Sequence, residues 1–306
     1  MPPPDLLALG EPLIEMVRLP DPVDGRPAFR QSVGGDALNA LVAAARQGAR
    51  TGLLSSVGAD PFGREILDLC AREGVDGSHI SVRDQGQTGV NFVYPDPAGR
   101  RFQYARKGSA ASCYAPSDLP EGAIAAARIL HVTAVSQAIS ASMRAAVDRA
   151  AQVARAQDTW VSYDLNLRLS LWDLEVARRC ITGFLPRADI LLPSQDEAET
   201  LLGPRGATEF LDYFEGFGAR FVVLKRGSLG AILSGPDGRT EIPAVAVDAL
   251  DSTGAGDSLA GAFLAYVLEG VEARDAARRA VSVAAGTVSG FGAIDPIPHR
   301  AQIVRP

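Results

Sequence analysis

Short apolar runs alternate with longer segments of helical periodicity through most of the chain. Runs that read as strands occupy 5–10 (DLLALG), 51–58 (TGLLSSVG), 128–135 (RILHVTAV), 160–167 (WVSYDLNL), 189–194 (DILLPS) and 221–227 (FVVLKRG). Helical stretches lie among them at 36–48, 61–74, 140–157 and 175–188. In the first of these, Leu38, Leu41, Val42 and Ala45 recur at i, i+3, i+4 and i+7, which sets them on one helix face. Strands that are apolar without alternation are covered on both faces, and strands separated by helices run parallel. The pattern predicts an α/β fold around a mainly parallel sheet.

Two segments break this rhythm. Residues 12–34 read as extended, and 87–106 as a hairpin in which TGVNFVY and RRFQYAR flank the turn Pro95-Asp96-Pro97-Ala98-Gly99. Lying outside the alternation, they are assigned to a small antiparallel sheet that projects from the main body as a lid, formed by about 12–34 and 87–112. No repeat, low-complexity tract or long linker interrupts the sequence. Residues 1–306 are therefore expected to form one domain with the lid inserted in it.

Composition removes several classes of function. With 47% hydrophobic and 22% charged residues the chain is not mostly disordered. A net charge of −6 offers no basic surface, so neither nucleic acid nor an anionic membrane is an expected partner. Cys70, Cys113 and Cys180 are widely spaced, as are His79, His131 and His299, which argues against a disulfide framework or a zinc site. The first residues, MPPPDLLALGEPLIEM, lack the basic-then-apolar layout of a signal peptide, and no apolar run approaches the ~20 residues of a membrane span. A cytoplasmic protein is expected.

The remaining signals concern chemistry. There is no G-x-x-x-x-G-K-[ST] pattern, and no G-x-G-x-x-G opens a helix after the first strand. Instead DSTGAGD (251–257) places Gly254, Ala255 and Gly256 just before an apolar helix. Backbone N–H groups can converge there on an anion, at the positive end of the helix. Such a hole suits the charge that develops on a transferring phosphoryl group. Asp257, in the first turn, favours the helix dipole, but that alone leaves the small residues before it unexplained. An acid is also what accepts the hydroxyl proton when phosphate passes to an alcohol.

Four weaker stretches accompany it. GGDALNAL (34–41) reads as a tight turn capped by Asp36, with Asn39 available to hydroxyls. DLNLR (164–168) sets Asp164, Asn166 and Arg168 on one side of a strand end, as a solvated loop or as a site for phosphate or a hydrated metal. Ser194 and Glu197 make a capping box, and Glu197 could also stand near a hydrated Mg²⁺. Lys225, Gly227 and Gly230 fall in a strand–turn–strand, a hairpin pattern. Lys225 and Lys107 are the only lysines in the sequence.

Taken in order, GG-x-x-x-N, D-x-N-x-R, K-x-G-x-x-G, DSTGAGD and the late GFGAIDPIP (290–298) resemble the ribokinase (PfkB) family of carbohydrate kinases over nearly the whole chain. GEPLIEMV (10–17), YARKGSAAS (104–112), DLNLRLSLW and Ser194 are similar to the 2-keto-3-deoxygluconate kinases of that family. The resemblance implies a ribokinase-like three-layer αβα sandwich with a β-sheet lid. It implies ATP-dependent phosphorylation of a sugar acid, most similar to conversion of 2-keto-3-deoxygluconate to its 6-phosphate; kinases of neutral sugars and non-catalytic regulators on the same fold are the alternatives. Asp257 would be the base, with Gly254, Ala255 and Gly256 forming the anion hole. Gly34, Gly35, Asp36, Asn39, Asn91, Tyr104, Arg106 and Arg168 would hold the acceptor, the two arginines on its carboxylate. Ser194, Lys225, Gly227, Gly230, Gly254, Gly256, Ala284, Ala285 and Thr287 would surround the nucleotide. ATP would bring Mg²⁺, with Glu197 near it through water, and Asp251 would serve a K⁺ site of the kind some members have. One departure stands out: several such kinases carry an aromatic residue after the lid's Thr-Gly, whereas Thr88-Gly89-Val90 here leads to Asn91. A homodimer or higher homo-oligomer through lid edge strands is also expected.

Overall fold

The structure, a computed structural model, describes residues 3–96 and 99–303. Ten strands form the main sheet. From one edge they run Gly238–Ile242, Ala231–Gly235, Phe221–Lys225, Ile190–Leu191, Trp160–Asp164, Ile129–Thr133, Leu6–Leu9, Thr51–Gly58 and Val75–Asp76, with Ile80–Arg83 also pairing with Thr51–Gly58. All pairs are parallel except the two that join Phe221–Lys225, Ala231–Gly235 and Gly238–Ile242.

Alternate side chains of these strands serve two cores, as the pleat requires. Leu6, Ala8, Leu53 and Ile129 pack under the helices Asp36–Arg46, Pro61–Glu73, Ala255–Glu269 and Ala273–Val288. Leu7, Leu9, Leu130 and Val161 pack under Ala141–Ala156, Leu174–Phe184 and Ala207–Glu215 on the other face. This is the three-layer αβα sandwich. The continuous apolar runs in the sequence are strands buried on both sides.

The projecting sheet has four strands in the order Phe29–Gly34, Leu13–Arg18, Val90–Asp96, Gly99–Ala105. It is mixed rather than antiparallel, because Leu13–Arg18 and Val90–Asp96 pair in parallel. The reason lies in the strands that feed it. Leu13–Arg18 continues outward from Leu6–Leu9, and Val90–Asp96 from Ile80–Arg83. Both parents belong to the parallel array, so their extensions share a direction. Pro97 and Ala98 of the expected turn lie outside the described residues.

The beginning of Asp36–Arg46 also differs from expectation. Its cap is Gly35, with φ 122°, and Asp36 is the first helical residue without a side-chain capping bond. A Cβ on Gly35 would stand 2.4 Å from the Glu11 carbonyl oxygen. Only glycine both adopts this backbone and lets the Glu11 segment pass so closely. The aspartate is thereby released to point into the site.

Candidate active site

Parallel sheets present ligand sites beyond the carboxyl ends of their strands, and four of those ends here are followed by a polar group that faces one cavity. Glu11 follows Leu6–Leu9, Asn166 and Arg168 follow Trp160–Asp164, Ser194 follows Ile190–Leu191, and Arg226 follows Phe221–Lys225. With residues from the lid they line a cavity of about 930 Å³. Most of the sequence-predicted residues meet there: Gly35, Asp36, Asn39, Asn91, Tyr104, Arg106, Arg168, Ser194, Glu197, Lys225, Gly227, Gly254, Gly256 and Asp257.

Asp257 is the third residue of the helix Ala255–Glu269, whose cap, Gly254, adopts φ 75°. Asn39 Nδ2 donates to one carboxylate oxygen at 2.9 Å, and Asn166 Nδ2 to the other at 3.0 Å. Asn166 is itself held in the left-handed region at φ 27° and reaches Asp36 at 3.5 Å as well. Burial, and next the charge of Asp36, push the Asp257 carboxyl up to about 7, against the pull of the Asn39 bond. Both oxygens remain oriented by amides while the group is poised to take a proton near neutral pH.

Beside it sits a fixed cation. Lys225 Nζ donates to both oxygens of Asp164, at 2.7 and 2.8 Å, in a pair that is almost wholly buried. Burial opposes the ammonium charge, but Asp164, Glu197 and Asp257 around it outweigh that and hold Lys225 protonated above its ordinary range. A Cβ on Gly256 would lie 3.4 Å from Lys225 Nζ. The ammonium thus faces the start of the helix across a space that glycine keeps open. The Ala255 N–H turns back to the Ser252 carbonyl at 3.3 Å, so the anion-facing amides of this turn are those of Gly256 and Asp257. Cation, helix end and cleared backbone suit a phosphate chain.

The cavity is also lined by residues with polar atoms that lack partners. Asn39 Oδ1 and Asn91 Oδ1 are buried without a hydrogen-bond partner among the described residues, as is Nε of Arg106. Such groups cost about 1–3 kcal/mol each unless something satisfies them, which a polyhydroxylated ligand could do. Register places Glu15, Asn91 and Tyr104 side by side across the lid. Arg106 lies over the Tyr104 ring, 5.3 Å from its centroid. Arg168 is half-exposed, bonded to the Leu167 carbonyl at 3.0 Å and 3.9 Å from Glu197.

Several expected residues sit otherwise. Thr287 is fully buried, and its hydroxyl donates to the Val283 carbonyl at 2.9 Å and lies 3.0 Å from Ser258 Oγ, so its side chain packs two helices together and offers nothing to an adenine. Ala284 and Ala285, half-buried on the same helix, are not among the residues lining the cavity. Gly34 ends its lid strand and Gly230 its turn, both outside the cavity lining. Glu197 accepts the N–H groups of Ser194 at 3.0 Å and Leu167 at 3.1 Å, a capping box that also fastens the Asn166 loop. Asp251 accepts from Thr253 N at 2.8 Å and Gly292 N at 3.0 Å, joining the glycine loop to the late GFGA segment. Among the described residues no cluster of three or more His, Cys, Asp or Glu could hold a metal ion.

Sequence reasoning missed Glu11, which is buried and ion-paired with Arg106. It grouped Asn166 with Asp164 and Arg168 as a phosphate or hydrated-metal site and did not foresee that its amide holds Asp257.

The chain matches the pfkB family carbohydrate kinase model over residues 5–300. It is 37% identical to a 2-dehydro-3-deoxygluconokinase of Thermoproteus tenax, over 96% of this chain and 91% of that one. A Bacillus subtilis protein of the same name is 32% identical, covering 90% and 86%. Among solved structures, a PfkB protein from Polaromonas sp. JS666 superposes with a TM-score of 0.88 at 32% identity, covering 98% of each chain. A protein from E. coli solved as Ribokinase II in complex with ATP and Mg²⁺ gives 0.88 at 26%, covering 96% of each. No helix among the described residues is long and apolar enough to cross a membrane.

Proposed function

We propose, from the premise that this chain belongs to the pfkB family of carbohydrate kinases, that it phosphorylates the terminal hydroxyl of a 2-keto-3-deoxy sugar acid, most similar to 2-keto-3-deoxygluconate giving its 6-phosphate. One observation carries the catalytic half of this reading: Asp257, gripped by Asn39 and Asn166, opens the helix that faces Lys225. The acceptor oxygen attacks the terminal phosphorus of ATP, a new O–P bond forms, and the bond to the ADP oxygen breaks. Asp257 takes the hydroxyl proton. The amides of Gly256 and Asp257, with Lys225, meet the charge on the transferring group. Bound with ATP, Mg²⁺ would neutralise phosphate charge; Glu197 would stand near it through water, and Asp251 would serve a K⁺ ion beside the loop.

The acceptor half rests on Arg106 and Arg168, which line one cavity, and on the names of the relatives. A neutral ketose is the second reading, favoured by the pairing of Arg106 with Glu11. The lid would close over the acceptor and exclude water from the phosphate. Its edge strands, with Phe29 and Phe102 exposed, would pair with a second copy.

A panel of acceptors with ATP tests the proposal. Turnover of 2-keto-3-deoxygluconate should exceed that of fructose and ribose by at least tenfold in kcat/KM. Equal or higher rates on the neutral sugars would refute it.

A further inference from the structure

The pairing of Arg106 gives Glu11 a function of its own. Glu11 is 1% exposed, the lowest value among the acids lining the cavity. It touches three residues on two segments. Its carboxylate meets the Arg106 guanidinium in an ion pair, it accepts a hydrogen bond from Ser109 Oγ at 2.6 Å, and it packs on Gly89, where a Cβ would stand 2.5 Å from Oε1. Arg106 and Ser109 follow the last lid strand, while Gly89 precedes the strand Val90–Asp96. Glu11 therefore holds the guanidinium where both connections of this hairpin to the body cross.

Charge matters as much as position. Arg106 and Glu11 are both buried and their charges sum to zero, so the guanidinium offers an incoming carboxylate direction more than net charge. Of the two arginines proposed for the carboxylate, Arg168 is the less closely paired, its nearest carboxylate 3.9 Å away. An acid acceptor held by both arginines would complete an alternating row: Glu11, Arg106, the ligand carboxylate, Arg168.

We infer that Glu11 is a positioning and charge-balancing residue: it orients Arg106 and masks its charge, and so sets how strongly the site prefers acidic over neutral acceptors. The inference rests on the acid acceptor proposed above and names the residue that tunes it.

The test is Glu11→Gln, assayed with 2-keto-3-deoxygluconate and with fructose. Removing the carboxylate charge unmasks Arg106, so KM for the acid should fall roughly fivefold while kcat stays within about twofold and KM for fructose does not fall. A merely structural role predicts the opposite sign, since damage to the site raises KM. A second variant guards against a folding failure. Ser109→Ala keeps every charge but frees one side of Glu11, so KM for the acid should rise with kcat unchanged. An unaltered or raised KM for the acid in Glu11→Gln, or no change in Ser109→Ala, overturns the inference while leaving the acid-kinase reading intact. Absence of wild-type turnover on the acid overturns both.

Discussion

Replacing Asp257 with Asn should cost activity and return stability, and the two effects can be read separately. The carboxyl is held near 7 in the folded protein against an ordinary value of 3.8. A group whose folded pKa is raised contributes stability that is complete below about 4 and is lost as pH rises through about 7. Integrated between pH 5.5 and 8, that difference reaches a ceiling of about 2 kcal/mol, and because the side chain is only half-buried and opens onto a solvated cavity, about 1 kcal/mol is the working figure. The amide keeps the shape of the site: Asn39, whose Oδ1 lacks a partner among the described residues, can turn its amide to receive the new NH₂. Urea unfolding of the unliganded protein at the two pH values gives the comparison. Wild type should lose about 1 kcal/mol more than Asp257→Asn on going to pH 8. The same variant should lose roughly 10²–10⁴-fold in kcat with little change in ATP affinity, the range for a general base. Parallel pH dependence of the two proteins would show that the carboxylate is not strained by its surroundings, and comparable kcat would remove it from proton transfer.

Other consequences are independent of that one. For wild type, log kcat/KM should fall with unit slope as pH drops below about 7, and Asp36→Asn, which removes a like charge, should carry that limb to lower pH. Lys225→Met leaves Asp164 buried without its cation and should destabilise by about 3–5 kcal/mol in chemical denaturation; adding Asp164→Asn should recover part of that loss. Gly35→Ala meets both an unfavourable φ and the Glu11 carbonyl, so the melting temperature should drop, with a loss of more than ~1 kcal/mol.

Legibility in the sequence followed the range of the forces involved. The strands at 51–58 and 160–164 and the helix at 36–46 announced themselves because burial on two faces, or on one stripe, imprints a local period. Ser194 and Glu197 were equally readable, since a capping box is closed within four residues. The direction of the lid strands was not, because it depends on which distant strands of the main sheet they continue. Glu11 and Arg106 are 95 positions apart, and neither carries a local mark of its partner. Thr287 misled because its place on the last long helix says nothing about which way the side chain turns, and a hydrogen bond to the Val283 carbonyl decided that.

The lid is joined to the main sheet at its roots. Two of its strands continue strands of the main sheet beneath, Leu13–Arg18 after three residues and Val90–Asp96 after six, so the sheet is built as a cantilever clamped along one edge. A cantilever deflects least at the clamp and most at its tip. Arg106 sits at the clamp and Phe102 farther out, so any bending leaves the guanidinium nearly stationary while the aromatic surface sweeps. In the proposed site, anchoring of the acceptor by Arg106 and its enclosure by the projecting sheet would be separate mechanical events, the first not waiting for the second.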